Sequence, residues 1–508
     1  MPELDTTSYW IDSSSLPRFP KLDNDVDVDV AIIGGGIVGI TAAYLLKSAG
    51  LTVALLERER CASVDTGHTT AHLTCVTDLY ITDLIDDFGR DAAWAVWDAG
   101  RVAIDQIQAN IEAEAIDCHF ERVPGFLHES LEESDTSPAE LQRQADAARE
   151  LGIAATYLEK VPLFSRPGIR FENQARFHPR DYLSALARAI PGDGSHIFEH
   201  TTADEVRDDP LGVKAGDYTV RCASVVVATH NPLVGKSSLV SATLFQTKLA
   251  LYSSYVVAAR VAKGAVFDGL FWDTADPYNY LRIEPKRDYD LVIFGGQDHK
   301  TGQADDTTAC YAALEETLER VLPEAKVEYH WSGQVIETND GLPYIGETAS
   351  RQFAATGFSG NGMTFGTLAA MMARDAALGR FNPWSDLLAT DRRKLKGGTW
   401  DYLIENKDYL YYLVRDRFAA AQGNTLRTVK RGQGRILDLQ GQRVAAYRDA
   451  KGTVTVRSAI CTHMGCEVKW NQAESTWDCP CHGSRFKTEG SVLAGPAESP
   501  LSEVEAKK

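Results

Sequence analysis

Long apolar runs and an excess of positive charge are both missing from this chain, and each absence removes a class of function. No stretch of the 508 residues is long and apolar enough to span a bilayer as a helix, so no transmembrane segment is expected. Basic residues number 52 against 71 acidic ones, a net charge of −19, which disfavours nonspecific binding to nucleic acid or an anionic membrane. The opening residues, MPELDTTSYWIDSSSLPRFPKL, contain no charged segment leading into an apolar one. No secretory signal is therefore expected, and the cytoplasm is the expected compartment. A disulfide framework is missing too: Cys61, Cys75, Cys118, Cys222 and Cys310 are scattered, as reduced and mostly buried thiols are. Internal repeats are absent. What remains is an acidic chain, 44% hydrophobic and too long for one ordinary core, for which two or three domains are expected.

The other four cysteines are concentrated. Cys461-Thr-His463-Met-Gly-Cys466 and Cys479-Pro-Cys481-His482-Gly-Ser484 form two boxes, with fifteen residues between His463 and Cys479. Each offers a thiolate and an imidazole. Such a set suits two different irons joined by bridging sulfides, and Cys/His pairs at short spacing also read as a zinc ribbon. The boxes resemble those of Rieske proteins. That resemblance implies a [2Fe-2S] cluster with Cys461 and Cys479 on one iron and His463 and His482 on the other. It also leaves Cys466 and Cys481 as the pair that forms a disulfide in Rieske proteins of the respiratory-chain type, a bond that a cytosol disfavours. Ser484 stands where a serine hydrogen-bonds a cluster sulfide, and Gly495-Pro496-Ala497 where a loop covers the cluster. Phe486 stands where high-potential members carry a tyrosine. Without that phenol, a potential low in the Rieske range of roughly −150 to +300 mV is expected.

Near the other end, residues 26–33 (VDVDVAII) read as a strand that runs into Gly34-Gly-Gly36-Ile37-Val38-Gly39 and a helix to about residue 48. The glycines let backbone approach a pyrophosphate, which the helix N-terminus then meets with its amides and dipole. Residues 51–56 read as the second strand, ending in Glu57 with Arg58 beside it. An acid twenty-one residues after Gly36 suits a ribose with a free 2′-hydroxyl. Another buried strand, 221–230, ends in the small-residue turn at Ala228 and Thr229; further on come Trp331-Ser-Gly333, a segment through Asp340, and the glycine-rich 354–366 opening a helix over 367–378.

Over roughly residues 26–380 these pieces resemble the FAD-dependent glycine and D-amino acid oxidase family. The resemblance implies FAD, with Gly360, Asn361, Gly362, Met363 and Thr364 near the pyrimidine end of the flavin and backbone at Val206 near adenine. It likewise places Thr66, Gly67, His68, Thr69, Thr70, Ala71 and His72 beside the ring or pyrophosphate. Some members attach FAD through a histidine of this loop. His72 lies one position away from that site, so ordinary hydrogen-bonded histidines are expected, as is a structural role for His178.

From 244 to 296 the hydrophobic period becomes two, with 249–258, 278–283 and 291–294 reading as strands of a substrate sheet. Tyr278, Tyr280 and Arg282 share one face by spacing, with Tyr252 and Tyr255 on a neighbouring strand. They could hold a substrate carboxylate while an amine nitrogen meets the flavin; an aromatic core with a solvated arginine is the competing reading. Helical patterns over 92–111 and 138–151 say little about chemistry.

The fold expected is multidomain, α/β plus β: a Rossmann-like FAD-binding domain interleaved with a mixed-sheet substrate domain, then an all-β Rieske domain. The boundaries are a lead over 1–25, an oxidoreductase over 26–382, a connector over 383–429 and the Rieske domain over 430–508. The FAD-binding parts are 26–77, 178–243 and 331–382, and the substrate parts mainly 78–177 and 244–330. An aromatic helix over 400–418 reads as a packing strap, or as a subunit or membrane-surface contact, so self-association stays open. The expected reaction oxidises a C–N bond of a small amine or amino acid, with electrons passing from FAD through the cluster to an external acceptor protein or quinone. A reductase running in reverse and a redox sensor without turnover remain alternatives. A ring hydroxylase is disfavoured, because no two-histidine, one-carboxylate iron site is evident.

Overall fold

In the computed structural model, residues 5–132, 136–231, 248–392 and 421–504 are described; the aromatic helix expected over 400–418 lies outside them. The β-branched run VAII forms the strand Val30–Ile33 at the middle of a six-stranded sheet, all four residues buried. Parallel neighbours are Val53–Leu56 on one side and Ser224–Val227 on the other, extended by His196–Phe198 and by Gln352–Thr356. Residues buried on both faces are what a parallel sheet requires, and helices Ile37–Ser48 and Gly362–Ala377 pack together against it.

Glycine is required at the first turn. Gly34 has φ +105°, and a Cβ there would overlap the carbonyl oxygen of Ala228; one on Gly39 would overlap the carbonyl of Gly34. Strand, turn and helix can close only without side chains at these positions.

The second large sheet is nine-stranded and mixed. Its long antiparallel members Lys326–Thr338, Leu249–Ala262, Tyr289–Lys300 and Tyr280–Pro285 lie side by side. Opposite Ser254, two residues, Gln297 and Asp298, bulge from the facing strand, and Gln297 has φ +60°. Bulges re-aim side chains, and this one brings Asp298 to Ser254. The helix expected over 367–378 begins earlier, at Gly362, so the glycine-rich turn itself supplies the helix N-terminus.

The N-terminal lead is an anchor rather than a polar tail. Helix Tyr9–Ser13 buries Tyr9 and Trp10, with the Trp10 indole donating to the Thr69 carbonyl at 2.6 Å and the Ser8 hydroxyl to the Gly67 carbonyl. Ser13 meets His178 Nε2 at 3.0 Å, while His178 Nδ1 accepts from the Asp181 amide and caps helix Pro179–Ala189. His178 is therefore structural.

Residues 433–458 form a three-stranded antiparallel sheet and 469–494 a four-stranded one. This β domain is seated on the larger one. Gln334 Nε2 donates to the Gly483 carbonyl at 2.8 Å, Gln303 Nε2 to that of Pro480 at 3.0 Å, and Arg58 Nη2 to that of Leu493 at 3.0 Å. A Cβ on Gly302 would lie 2.8 Å from the Cys479 carbonyl carbon, so backbone meets backbone here. Among the described residues no helix is long and apolar enough to cross a membrane.

Gly39→Ala is expected to cost about 1–3 kcal/mol, because the new methyl must displace the turn. Thermal unfolding followed by flavin release should show a lower midpoint and faster FAD loss than in the parent chain.

Candidate active site and cluster centre

A cavity of about 580 Å³ runs from the glycine turn to the substrate sheet. At its first end, Gly34, Gly36, Ile37 and Val38 line it together with Glu57 and Arg58. Glu57 accepts from its own backbone, the Gly35 amide at 2.7 Å and the Glu59 amide at 2.8 Å; burial pushes its carboxyl up and these two donors pull it back. The Thr66 hydroxyl accepts from the Ile37 amide at 3.1 Å, which holds the following loop across the turn. Ala228 and Thr229 complete this end.

Thr66, His68, Thr69, Thr70 and His72 line the middle. His68 Nδ1 meets the Val64 carbonyl at 2.7 Å, and His72 sits between Thr70 Oγ1 and the Leu281 carbonyl. Burial, with the Arg282 charge nearby, drops His72 to about 3, so it is a neutral imidazole. Gly67 and Ala71 belong to the same loop but turn into protein. Gly67 packs on the Ala62 carbonyl, and the Ala71 carbonyl accepts from Arg282. Opposite, Gly360, Asn361, Gly362 and Met363 present the helix start, while the Thr364 hydroxyl donates away to the Thr74 carbonyl.

Several expected residues lie elsewhere. Arg282 is fully buried, donating to the carbonyls of Ala71, Phe177 and Ile283 and paired with Glu284 at 2.5 Å, so it holds no substrate carboxylate. Tyr255 is packed between Tyr311 and His299 in the outer core. Tyr252 likewise falls outside the cavity wall, which takes Ser254 and Val256 from this strand. Asp340 is held by Arg392 at 2.7 Å and by the Leu342 amide, with no face to the cofactor. Val206 packs into a separate core, and Thr201, Thr202, Ala203 and Asp204 line the cavity in its place. Gly39 acts through packing alone.

Tyr278 and Tyr280 do reach the cavity, their ring centroids 5.7 Å apart. They bring residues that pattern reading missed. The Tyr278 hydroxyl donates to Asp78 at 3.2 Å; that of Tyr280 donates to Ser254 Oγ, which in turn donates to Asp298, both at 2.5 Å. Partial desolvation by the surrounding protein raises Asp78, which is open to the cavity, to about 7 and the half-buried Asp298 to about 6. A polar residue closing an apolar strand after Gly295-Gly296 was the only available signal for Asp298.

In the β domain, the sulfurs of Cys461 and Cys479 hydrogen-bond each other, which lowers Cys461 and raises Cys479. His463 and His482 approach edge-on, centroids 5.0 Å apart, both held near 4 by burial and hence neutral. Nδ1 of His463 is buried without a hydrogen-bond partner, and Nδ1 of His482 is buried too. Two inward thiols and two inward neutral imidazoles fit a cluster, for which an empty apolar pocket would not need them. Cys466 and Cys481 are joined in a disulfide that ties the two loops, so the close grouping of Cys466, Cys479 and Cys481 is not a three-thiolate metal site. Ser484 bonds the Cys461 sulfur and accepts from the Ala497 amide at 3.1 Å. Phe486 is fully buried in the same core as Cys461 and Cys479.

Fold and site together define a dinucleotide-binding oxidoreductase carrying an iron–sulfur domain. Residues 29–376 match the FAD dependent oxidoreductase (DAO) family and 424–505 the Rieske [2Fe-2S] domain. The chain belongs to that oxidoreductase family, whose cofactor is FAD, and its C-terminal domain implies a [2Fe-2S] cluster. It is 32% identical over 505 residues, 98% of its length and 97% of the relative's, to YhfW of Bacillus subtilis (strain 168), named as a Rieske 2Fe-2S iron-sulfur protein. The gamma-glutamylputrescine oxidoreductase of Escherichia coli (strain K12) is 23% identical over 81% of this chain and 98% of that one. The glycine oxidase structure from Geobacillus kaustophilus shares the fold at TM-score 0.59 and 18% identity, covering 72% of this chain and 99% of that one.

Cys461→Ser is expected to remove iron while FAD is retained, read by metal analysis beside the flavin spectrum. Phe486→Tyr should raise the cluster's reduction potential in a redox titration, by adding a donor near the cluster.

Proposed function

We propose that this protein oxidises a C–N bond of a small amine or amino acid at the tyrosine end of the cavity. Electrons then leave through the cluster to an external acceptor protein or quinone. One observation carries this reading: the cavity that Gly34, Thr66 and His72 line is closed on another side by Gly495, Pro496 and Ala497, the loop over the cluster ligands. The two redox sites thus share a wall, which supports direct transfer between them. Gln334 supports the same reading, because it lines the cavity and donates to Gly483, next to His482.

Bound FAD takes two electrons as a hydride equivalent and the cluster passes them on singly. The chain's own residues do the rest. Tyr278, Tyr280 and Trp272 form an aromatic wall that orients a small substrate and excludes water. His72, neutral and held between the Thr70 hydroxyl and the Leu281 carbonyl, adds no positive charge beside the reacting carbon. The gain from orientation and desolvation makes a strong general base unnecessary once the amine is neutral.

Anaerobic addition of amines and amino acids should bleach the flavin and iron–sulfur bands together with the correct compound. Flavin bleaching with an unchanged cluster spectrum would sink the internal route, and reduction only by a protein donor would reverse the direction of flow.

A further inference from the structure

The tyrosine end of the cavity is unusual in its charge. Asp78 and Asp298 enter it, linked through Tyr278, Tyr280 and Ser254. Among the described residues neither carboxyl has a salt-bridge partner, and no lysine or arginine lines this end. The arginines in the cavity wall sit at the opposite end, where Arg60 is paired with Glu199 and Arg58 reaches Leu493. The expected carboxylate clamp, Arg282, is consumed by Glu284 and three carbonyls.

Asp78 is open to the cavity and Asp298 half-buried in its wall, so a cation entering there would meet two carboxyls that no other charge has neutralised. The second observation is independent of the acids. Ser359 is only 7% exposed, its hydroxyl has no hydrogen-bond partner, and it lines the same cavity beside Gly360. A Cβ on Gly360 would lie 3.1 Å from the Tyr278 hydroxyl and 3.2 Å from Asp78. The acid, the tyrosine and the idle hydroxyl therefore converge at the glycine-rich turn. Tyrosine and tryptophan faces favour a cation further.

We propose that this site takes a small amine without an α-carboxylate, bound as an ammonium by Asp78 and Asp298 against Tyr278 and Tyr280. The inference deepens the C–N oxidation reading and rests on it. A substrate carboxylate would face two acids with no cation to offset it, so α-amino acids are the disfavoured class. Proton transfer from R–NH3+ to a carboxylate gives R–NH2 and a carboxylic acid, leaving the neutral amine that C–N oxidation requires.

The test uses two compounds that cannot be turned over, because neither has hydrogen on the carbon bearing nitrogen. One is tert-butylamine and the other 2-aminoisobutyrate, in which a carboxylate replaces one methyl. Binding to the FAD-loaded full chain is followed by calorimetry and by the shift of the flavin bands, at pH about 8.5, where an alkylamine is still protonated. Expected is binding of tert-butylamine at least about tenfold tighter than of 2-aminoisobutyrate, with a loss of about tenfold or more in Asp78→Asn and in Asp298→Asn. The FAD content of both variants, measured alongside, should match the parent. Equal or tighter binding of 2-aminoisobutyrate would overturn the inference while leaving C–N oxidation standing. Unchanged tert-butylamine affinity in both variants would overturn it as well. If neither compound binds and no amine bleaches the flavin, the oxidation reading falls with it.

Discussion

The strands Leu249–Ala262 and Lys326–Thr338 form a wall that the flavin cavity and the cluster loops both lean on, and the rest of the arrangement depends on that close contact. On one face Ser254 and Val256 line the cavity. On the other side the Gly483 carbonyl takes the Gln334 amide, and a Cβ on Gly483 would come within 2.6 Å of Leu251 Cβ. This close contact sets Gly483, the neighbour of His482, against the strand pair. A one-electron carrier is useful to a two-electron cofactor only if it is near.

Desolvation sorts the charged groups of the active domain into two kinds. Arg282 and Glu284 are both fully buried, and each satisfies the other: the arginine has an acid and three carbonyls, and the acid also receives His119. Such a pair is a structural clasp between the substrate sheet and the Ala71 loop, and removing either partner would strand a buried charge. Asp78 and Asp298 are the other kind. Hydroxyls are their only described partners, and their raised carboxyls mark them as groups whose charge is open to a ligand.

In the cluster domain the fold brings together what the two boxes hold apart in sequence. The disulfide between Cys466 and Cys481 joins the two loops from behind, with Cys466 only 1% exposed. Ser484 and Ala497 then close the front.

Short-range spacing made the chemistry legible. The two Cys/His boxes, the Gly34–Gly39 turn and the loop of Thr66 to His72 each carry their meaning within a dozen residues, because ligand bite and turn geometry are local. Fold class followed from the alternation of buried strands with helices. The lead was misread because its anchoring depends on Trp10 meeting Thr69, a partner far along the chain. Likewise Arg282 and Tyr280 share a strand face by period two, yet one is spent on a clasp and the other opens to the cavity. Sequence alone thus determined which cofactors the chain holds. Only the tertiary structure decided which charges face the cavity, since that depends on sheet register, on the bulge at Gln297 and Asp298, and on which buried charge finds a distant partner.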